Sequence, residues 1–242
     1  MQTNNPIPAS AIAVRRASER GAADHGWLKS RFTFSFADYH DRQHMGFRTL
    51  RVINDDIVAP GMGFGTHPHR DMEIFSYVLE GTIEHKASRG HGRRLAPGQI
   101  QLMSAGSGVT HSEFNPSRDE PLHLLQIWIK PREHGIAPRY TEWHPSPENE
   151  RTPKVLVISP DGREGSATIM QDADVYRIML APGECASHDL RPGRGAWVHV
   201  AVGSLDINGV KLAAGDGAST ENSGRLTFTA LEPVEALFFD LQ

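Results

Sequence analysis

The sequence predicts an all-β protein built from two copies of one antiparallel β-barrel or jelly-roll unit. Three observations carry this. Short runs of Val, Ile, Leu, Phe and Tyr are broken at intervals of about 8–12 residues by Gly, Pro, Asn or Asp, the spacing of strands in a sandwich or barrel. Long helical periodicity is absent. Two segments, one in each half, share a pattern of strand, glycine turn, strand and Leu-Ala-x-Gly.

The elements follow from local chemistry. "IFSYVLEGTIEHKA" reads as two strands turning at Glu80-Gly81. "GSLDINGVKLAAGD" reads as a hairpin in which Asn208-Gly209 supplies the positive φ angles of a tight turn. The repeat sets "YVLEGTIEHK" and the later "LAPGQI" against "VAVGSLDING" and the later "LAAGDG". Between the copies, Lys130 to Lys154 is rich in Pro, charge and polar residues and reads as a linker. The expected division is an N-terminal domain over 1–132, a linker over 133–153 and a C-terminal domain over 154–242.

Composition is that of a globular chain, 38% hydrophobic and 22% charged, with a net charge of −4. Lys and Arg are spread along it, which argues against direct nucleic-acid binding. The single cysteine, Cys185, excludes an intrachain disulfide and fits a reducing compartment. The first residues lack the apolar core of a signal peptide, and no window approaches the roughly 18 apolar residues of a spanning helix. A cytoplasmic protein without membrane contact is the expectation.

Alternate strand residues share a face, so His67 and His69 in "GMGFGTHPH" point one way, with Pro68 opposite. Taken alone, such a pair is a solvated or hydrogen-bonded one. His111 and Glu113 in "SAGSGVTHSEFN" repeat the spacing, and on a neighbouring strand they bring three imidazoles and a carboxylate around one point. That donor set suits Fe(II), Mn, Co, Ni, Cu or Zn. Four such ligands on an octahedral ion leave two positions for substrate and dioxygen. His85 reads as an ordinary hydrogen-bonded strand residue, and His123 as half-buried beside the core. His25, His40, His44, His91, His134 and His144 read as surface, Arg70 and Asp71 as neighbours of the ligands or surface, and Cys185 as an unremarkable thiol. There is no phosphate-binding glycine loop and no Ser-His-Asp signature.

Gly61, His67 and His69 fit the first cupin motif, and His111 with Asn115 resembles the second. Two spacings depart from it: Glu73 precedes Gly81 by one residue more than usual, and the glycine-to-histidine interval before His111 is longer. Together with "RFTFSFADY" and "HPHRDMEIFSYVLEGTIEHK", these departures resemble the pirin family of bicupins, closely over Arg31 to Pro131 and more loosely beyond. The resemblance implies a bicupin fold and one divalent metal, most often Fe(II), ligated by His67, His69, His111 and Glu113. It also implies that Glu73 is not a ligand. The implied activity is that of a quercetin 2,3-dioxygenase, which opens a flavonol with O2 and releases carbon monoxide. Glu113 would take the proton of the flavonol 3-hydroxyl, and Phe64, Met72 and Phe114 would line the pocket. A competing implication is a metal-dependent, redox-sensing regulator that acts through a protein partner. In the second copy, aligning Gly203 with Gly81 leaves only His188 near the histidine pair, with Leu190 two residues on and no histidine after His199. That copy is expected to bind no metal.

Overall fold

The computed structural model describes residues 5–87 and 92–242. Helical residues occur among them only as single 3-10 turns, and no helix is long and apolar enough to cross a membrane. The strands up to the middle of the chain are β1 (Ala13–Arg15), β2 (Gly21–Asp24), β3 (Leu28–Phe32), β4 (Leu50–Val58), β5 (Gly63–His69) and β6 (Glu73–Glu80). They continue with β7 (Ile83–Ala87), β8 (Gly92–Leu95), β9 (Ile100–Ser104), β10 (Val109–Phe114), β11 (Leu122–Ile129) and β12 (Arg139–Trp143). Then follow β13 (Lys154–Ser159), β14 (Ala167–Thr168), β15 (Ala173–Leu180), β16 (Cys185–Leu190) and β17 (Gly195–Val202). The last are β18 (Ser204–Ile207), β19 (Val210–Ala213), β20 (Gly217–Thr220), β21 (Gly224–Ala230) and β22 (Val234–Leu241).

The chain forms two compact units. The first has a large sheet in the order β12-β9-β6-β11-β4-β3-β2 and a small one in the order β5-β10-β7-β8. Its core lies between them, where Val58, Val78 and Leu124 of the large sheet meet Ile83 and Leu95 of the small one, with Phe64 packed alongside. The second unit repeats this plan, with β1-β20-β17-β22-β15-β13 and β16-β21-β18-β19 around Val198, Leu226, Phe228 and Phe238. Strand for strand, β9, β6, β11 and β4 correspond to β20, β17, β22 and β15, and β5-β10-β7-β8 to β16-β21-β18-β19. The repeated motifs fall on β6–β7 and β17–β18, so the duplication is a property of the fold. Each unit is a two-sheet jelly roll and not a closed barrel.

The hairpin at Asn208-Gly209 forms as expected, with φ of +49° and +90° and Ser204–Ile207 paired to Val210–Ala213. The turn at Glu80-Gly81 is different. It separates two strands, but β6 pairs with β9 and β11 whereas β7 pairs with β8 and β10. The chain there crosses from one sheet to the other.

The expected domain limits are corrected at both ends. The described residues up to Arg20 group with Ser146–Ser159 and Asp172–Gln242, and Pro160–Gln171 groups with Gly21–Pro145. The N-terminal arm joins the second unit because β1 pairs with β20 and Ile7 is buried in that unit's core. The Asn208 side chain donates to the Ile7 carbonyl at 2.7 Å. Asp216 accepts from Arg16 Nη1 at 2.8 Å, from the Ala17 amide at 2.7 Å and from the Ala213 amide at 3.1 Å. Nor is the polar stretch after Lys130 a spacer. Its Arg139–Trp143 portion is the edge strand β12, paired with β9. Pro160–Gln171 belongs to the first unit through Glu73, whose Oε2 accepts from Ser104 Oγ at 2.7 Å and from the Met170 amide at 3.1 Å.

Asp216→Ala leaves the Ala17 amide and the arm without their acceptor, and an unmet buried donor costs about 1–3 kcal/mol. The expected result is a lower urea midpoint together with faster proteolysis near Arg16; an unchanged midpoint would show that Asp216 does not fasten the arm.

Candidate metal centre

Strands β5 and β10 run antiparallel with His111 directly opposite His67. The register then slips, so that Glu113 faces Phe64. One residue of β10, Ser112, thus opposes two of β5, a bulge falling at Gly65-Thr66. Glycine at position 63 is a steric requirement, since a Cβ there would lie 2.2 Å from the Glu113 carbonyl oxygen. The close approach of the two backbones brings the imidazoles together. The ring centroids of His67, His69 and His111 are 4.6–4.9 Å apart, and their ligating atoms lie within 4.8 Å of one another.

His67 Nδ1 donates to the Gly65 carbonyl at 2.8 Å, which leaves the lone pair on Nε2. That Nε2 lies 3.1 Å from Nε2 of His111. Two nitrogens each about 2.1 Å from one ion are this far apart when they subtend roughly a right angle. Burial lowers the His111 pKa to about 4, aided by the neighbouring histidines against the pull of Glu113. Burial and then His67 take His69 to about 4 as well. Neutral imidazoles converging on one point are a donor set that a divalent cation satisfies.

Glu113 stands beside this cluster, its Oε2 3.9 Å from His111 Nε2. The carboxylate is buried and heavily held. Oε1 accepts from Ser76 Oγ and Gln126 Nε2, both at 3.1 Å, and lies 2.9 Å from His85 Nε2. Among the described residues, Oε2 accepts from Gln126 alone, at 3.0 Å. Burial alone would raise the Glu113 pKa; the charge and hydrogen bond of His85, with His111 and Gln126, outweigh it and hold the group well below the carboxylate range. His85 moves the opposite way: burial lowers it, but Glu113 and Gln101 together raise it. Its expected ordinary hydrogen bond exists, Nδ1 to Gln101 Oε1 at 3.0 Å, but its other nitrogen serves Glu113.

A cavity of about 460 Å³ opens beside the imidazoles, within the first unit. Trp27, Phe32, Phe36, Phe64 and Trp128 form its apolar wall, and His67, His69 and Glu113 reach into it. Trp128 packs edge-on to His69 at 5.0 Å and to Phe36 at 5.4 Å. Of the three residues expected to line a pocket, only Phe64 does so. Phe114 is exposed, and Met72 packs on Ile74, Met103 and Val109 instead. Glu73 is fully buried and occupied with Ser104 and Met170.

The other histidines have ordinary surroundings. His123 is half-buried against Asp55 at 2.7 Å, and His44 pairs with Asp41 at 2.8 Å. His40, His134 and His144 are exposed, and His25 is exposed at the cavity rim. His91 lies outside the described residues. Arg70 is exposed, and Asp71 accepts the Gly135 amide at 2.7 Å. Cys185 is exposed on β16. In the second unit His188 takes the place of His67, but Leu226 stands opposite it where His111 would be. Its ring stacks edge-on to Phe238, and its Nε2 meets Asp240 at 2.8 Å, a carboxylate that also accepts from Arg194.

The sequence matches the pirin family model over residues 13–129 and a quercetinase C-terminal cupin domain over residues 156–241. It is 49% identical over 230 residues to the quercetin 2,3-dioxygenase of Escherichia coli K12, covering 95% of this chain and 98% of that one. The chain belongs to the pirin family. A pirin-like protein of Caulobacter vibrioides is 40% identical over 91% of this chain and 95% of its own. The crystal structure of the E. coli pirin YhhW in complex with nickel(II) superposes with a TM-score of 0.90 at 49% identity, covering 95% and 98% of the two chains.

Sequence reasoning missed the residues that hold Glu113 and those that shape the cavity. Ser76, Gln101 and Gln126 each interrupt an apolar strand, and Asn54 and Asp56 occupy inward positions of β4 while Ile57 faces out. Burial raises the Asp56 carboxyl to about 7 against the hydrogen bond from Ser30, with the charges of Asp55 and Glu113 adding to the rise and His123 opposing it.

His67→Ala and His111→Ala should each abolish stoichiometric metal uptake, measured by elemental analysis, while the β circular dichroism persists; full metal content in both would remove these histidines from the ligand set. For Asp56 the unfolded carboxyl ionises near 4 and the folded one near 7, so this residue costs stability increasingly as pH rises between those values. Asp56→Asn should therefore gain stability over the parent progressively across that window, with the gain level above it. Urea midpoints from about pH 5 to about pH 8 would show this, and a gain independent of pH would mean an Asp56 ionised throughout.

Proposed function

We propose that this protein is a metal-dependent flavonol 2,3-dioxygenase that opens a quercetin-type ring with O2 and releases carbon monoxide, with Fe(II) as its ion. The observation that carries the reading is the junction of three converging imidazoles with a preformed aromatic cavity, in a chain about half identical to a quercetin 2,3-dioxygenase. A surface that only docked a protein partner would have no need of a recessed, aromatic-walled space beside the donor set.

His67, His69 and His111 would hold the ion, with Glu113 as fourth ligand through Oε2, the oxygen with one hydrogen-bond partner. When bound, the ion supplies a Lewis-acid position for the flavonol 3-oxygen and for dioxygen. Glu113 is ionised at neutral pH, as both a ligand and a proton acceptor must be, and Oε2 is the atom placed to receive the 3-hydroxyl proton. Gln126, Ser76 and His85 fix the carboxylate so that it cannot swing away from His111. Trp27, Phe36, Phe64 and Trp128 accept the flat rings and exclude water from the reacting edge.

Carbon monoxide release and oxygen uptake on quercetin, with Fe(II)-reconstituted protein beside His111→Ala, test the proposal. Turnover in the parent that disappears in the variant is expected. No turnover at full metal occupancy would overturn it.

A further inference from the structure

Strand β4 carries a polar pair where a core strand should be apolar. Its inward positions run Leu50, Val52, Asn54, Asp56, Val58, and all five are buried. Asn54 and Asp56 are each only 3% exposed, and both line the aromatic cavity. Neither is explained by the metal centre or by the sheet.

The hydrogen-bond accounting in this wall is incomplete. Asn54 Oδ1 is buried and has no donor. Gln126 lies directly across the ladder from Asn54, but its amide protons go to the two oxygens of Glu113. Asp56 Oδ1 accepts from Ser30 Oγ at 2.5 Å. A buried acceptor left unmet costs about 1–3 kcal/mol, so a position that keeps one beside a cavity is shaped for a donor arriving from outside the protein. The remaining wall is made of aromatic faces and edges, suited to flat rings. Donors carried on flat rings are phenolic hydroxyls.

We propose that Asn54 and Asp56 receive the ring hydroxyls of a polyhydroxylated aromatic substrate, fixing which edge of it meets the histidine cluster. The inference rests on the flavonol reading above and names the positioning and specificity residues for it. His67, His69, Asn54 and Asp56 all line the cavity, so a ligand that fills it meets both the histidines and these two acceptors. Two residues along a strand separate them by roughly 7 Å, so they serve two hydroxyls of an extended ring system and not one. Their role is selection: a flavonol with bare outer rings would leave Asn54 unmet, whereas a hydroxylated one would satisfy it.

The test compares quercetin with 3-hydroxyflavone, which keeps the 3-hydroxyl and carries none on the other rings. Binding is followed by quenching of tryptophan fluorescence from Trp27 and Trp128, and kcat and KM are measured on the metal-loaded protein, for the parent, Asn54→Ala, Asp56→Ala and Asp56→Asn. The parent should prefer quercetin. Each alanine variant should reduce the ratio of quercetin to 3-hydroxyflavone affinity about tenfold, the worth of one hydrogen bond, chiefly through KM. Asp56→Asn, which keeps the side-chain shape and an acceptor oxygen, should restore part of that ratio. A ratio unchanged in both alanine variants, with the parent still binding and turning over quercetin, would overturn this inference alone. A metal-loaded parent that binds neither flavonol would overturn it together with the functional reading.

Discussion

An ionised carboxylate sealed between two sheets is the constraint around which the first unit is arranged. Glu113 is 3% exposed, and an unpaired charge at that depth would be untenable. It is tolerated because a polar row crosses the large sheet in register, with Gln126 opposite Ser76 and Ser76 opposite Gln101. Gln126 and Ser76 donate to the carboxylate directly, and Gln101 holds the far side of His85. The three imidazoles, Glu113 and His85 sit on the small sheet, and Ser76, Gln101 and Gln126 on the large one. Closing the jelly roll and orienting the site are therefore one event.

The second unit shows what the same strand order becomes when that constraint is absent. At the position across from His188 stands Leu226, so no second imidazole meets it. His188 instead joins Asp240, which Arg194 neutralises, and Arg194 also reaches Asp172 at 2.8 Å. A buried charge is still balanced there, but by a guanidinium of the protein itself. One fold thus offers two ways of satisfying an inward carboxylate: amide, hydroxyl and imidazole partners, or an arginine.

The fold class, the duplication and the histidine cluster were legible because each rests on a short-range rule. Period-two alternation puts His67 and His69 on one face, Asn208-Gly209 admits few other turns, and Leu-Ala-x-Gly marks the same bend twice. Long-range pairing was not legible. Nothing local in "IFSYVLEGTIEHKA" distinguishes a hairpin from a crossover between sheets, since the turn glycine satisfies either. The Pro-rich stretch containing Arg139–Trp143 has linker composition, and only the free edge of β9 makes a strand of it. Ser76, Gln101 and Gln126 carry no local signal of a role, because their partners, Glu113 and His85, arrive from other strands. The inversion on β4, with Asp56 inward and Ile57 outward, is defined by the cavity it faces and not by a local rule.

The segment exchange bears on how the chain acquires its structure. Arg16 and Asp216 meet across 200 residues, so the edge of the second unit's large sheet is finished by a segment made before the whole of the first unit. That arm must wait, unpaired, while the whole first unit is made, and the first unit in turn takes Pro160–Gln171 from beyond β13. Loop closure over such spans is slow relative to hairpin formation. Neither unit can be completed on the ribosome before its partner has begun, and a cut at the apparent domain boundary would leave the first fragment without Pro160–Gln171 and the second without its edge strand β1.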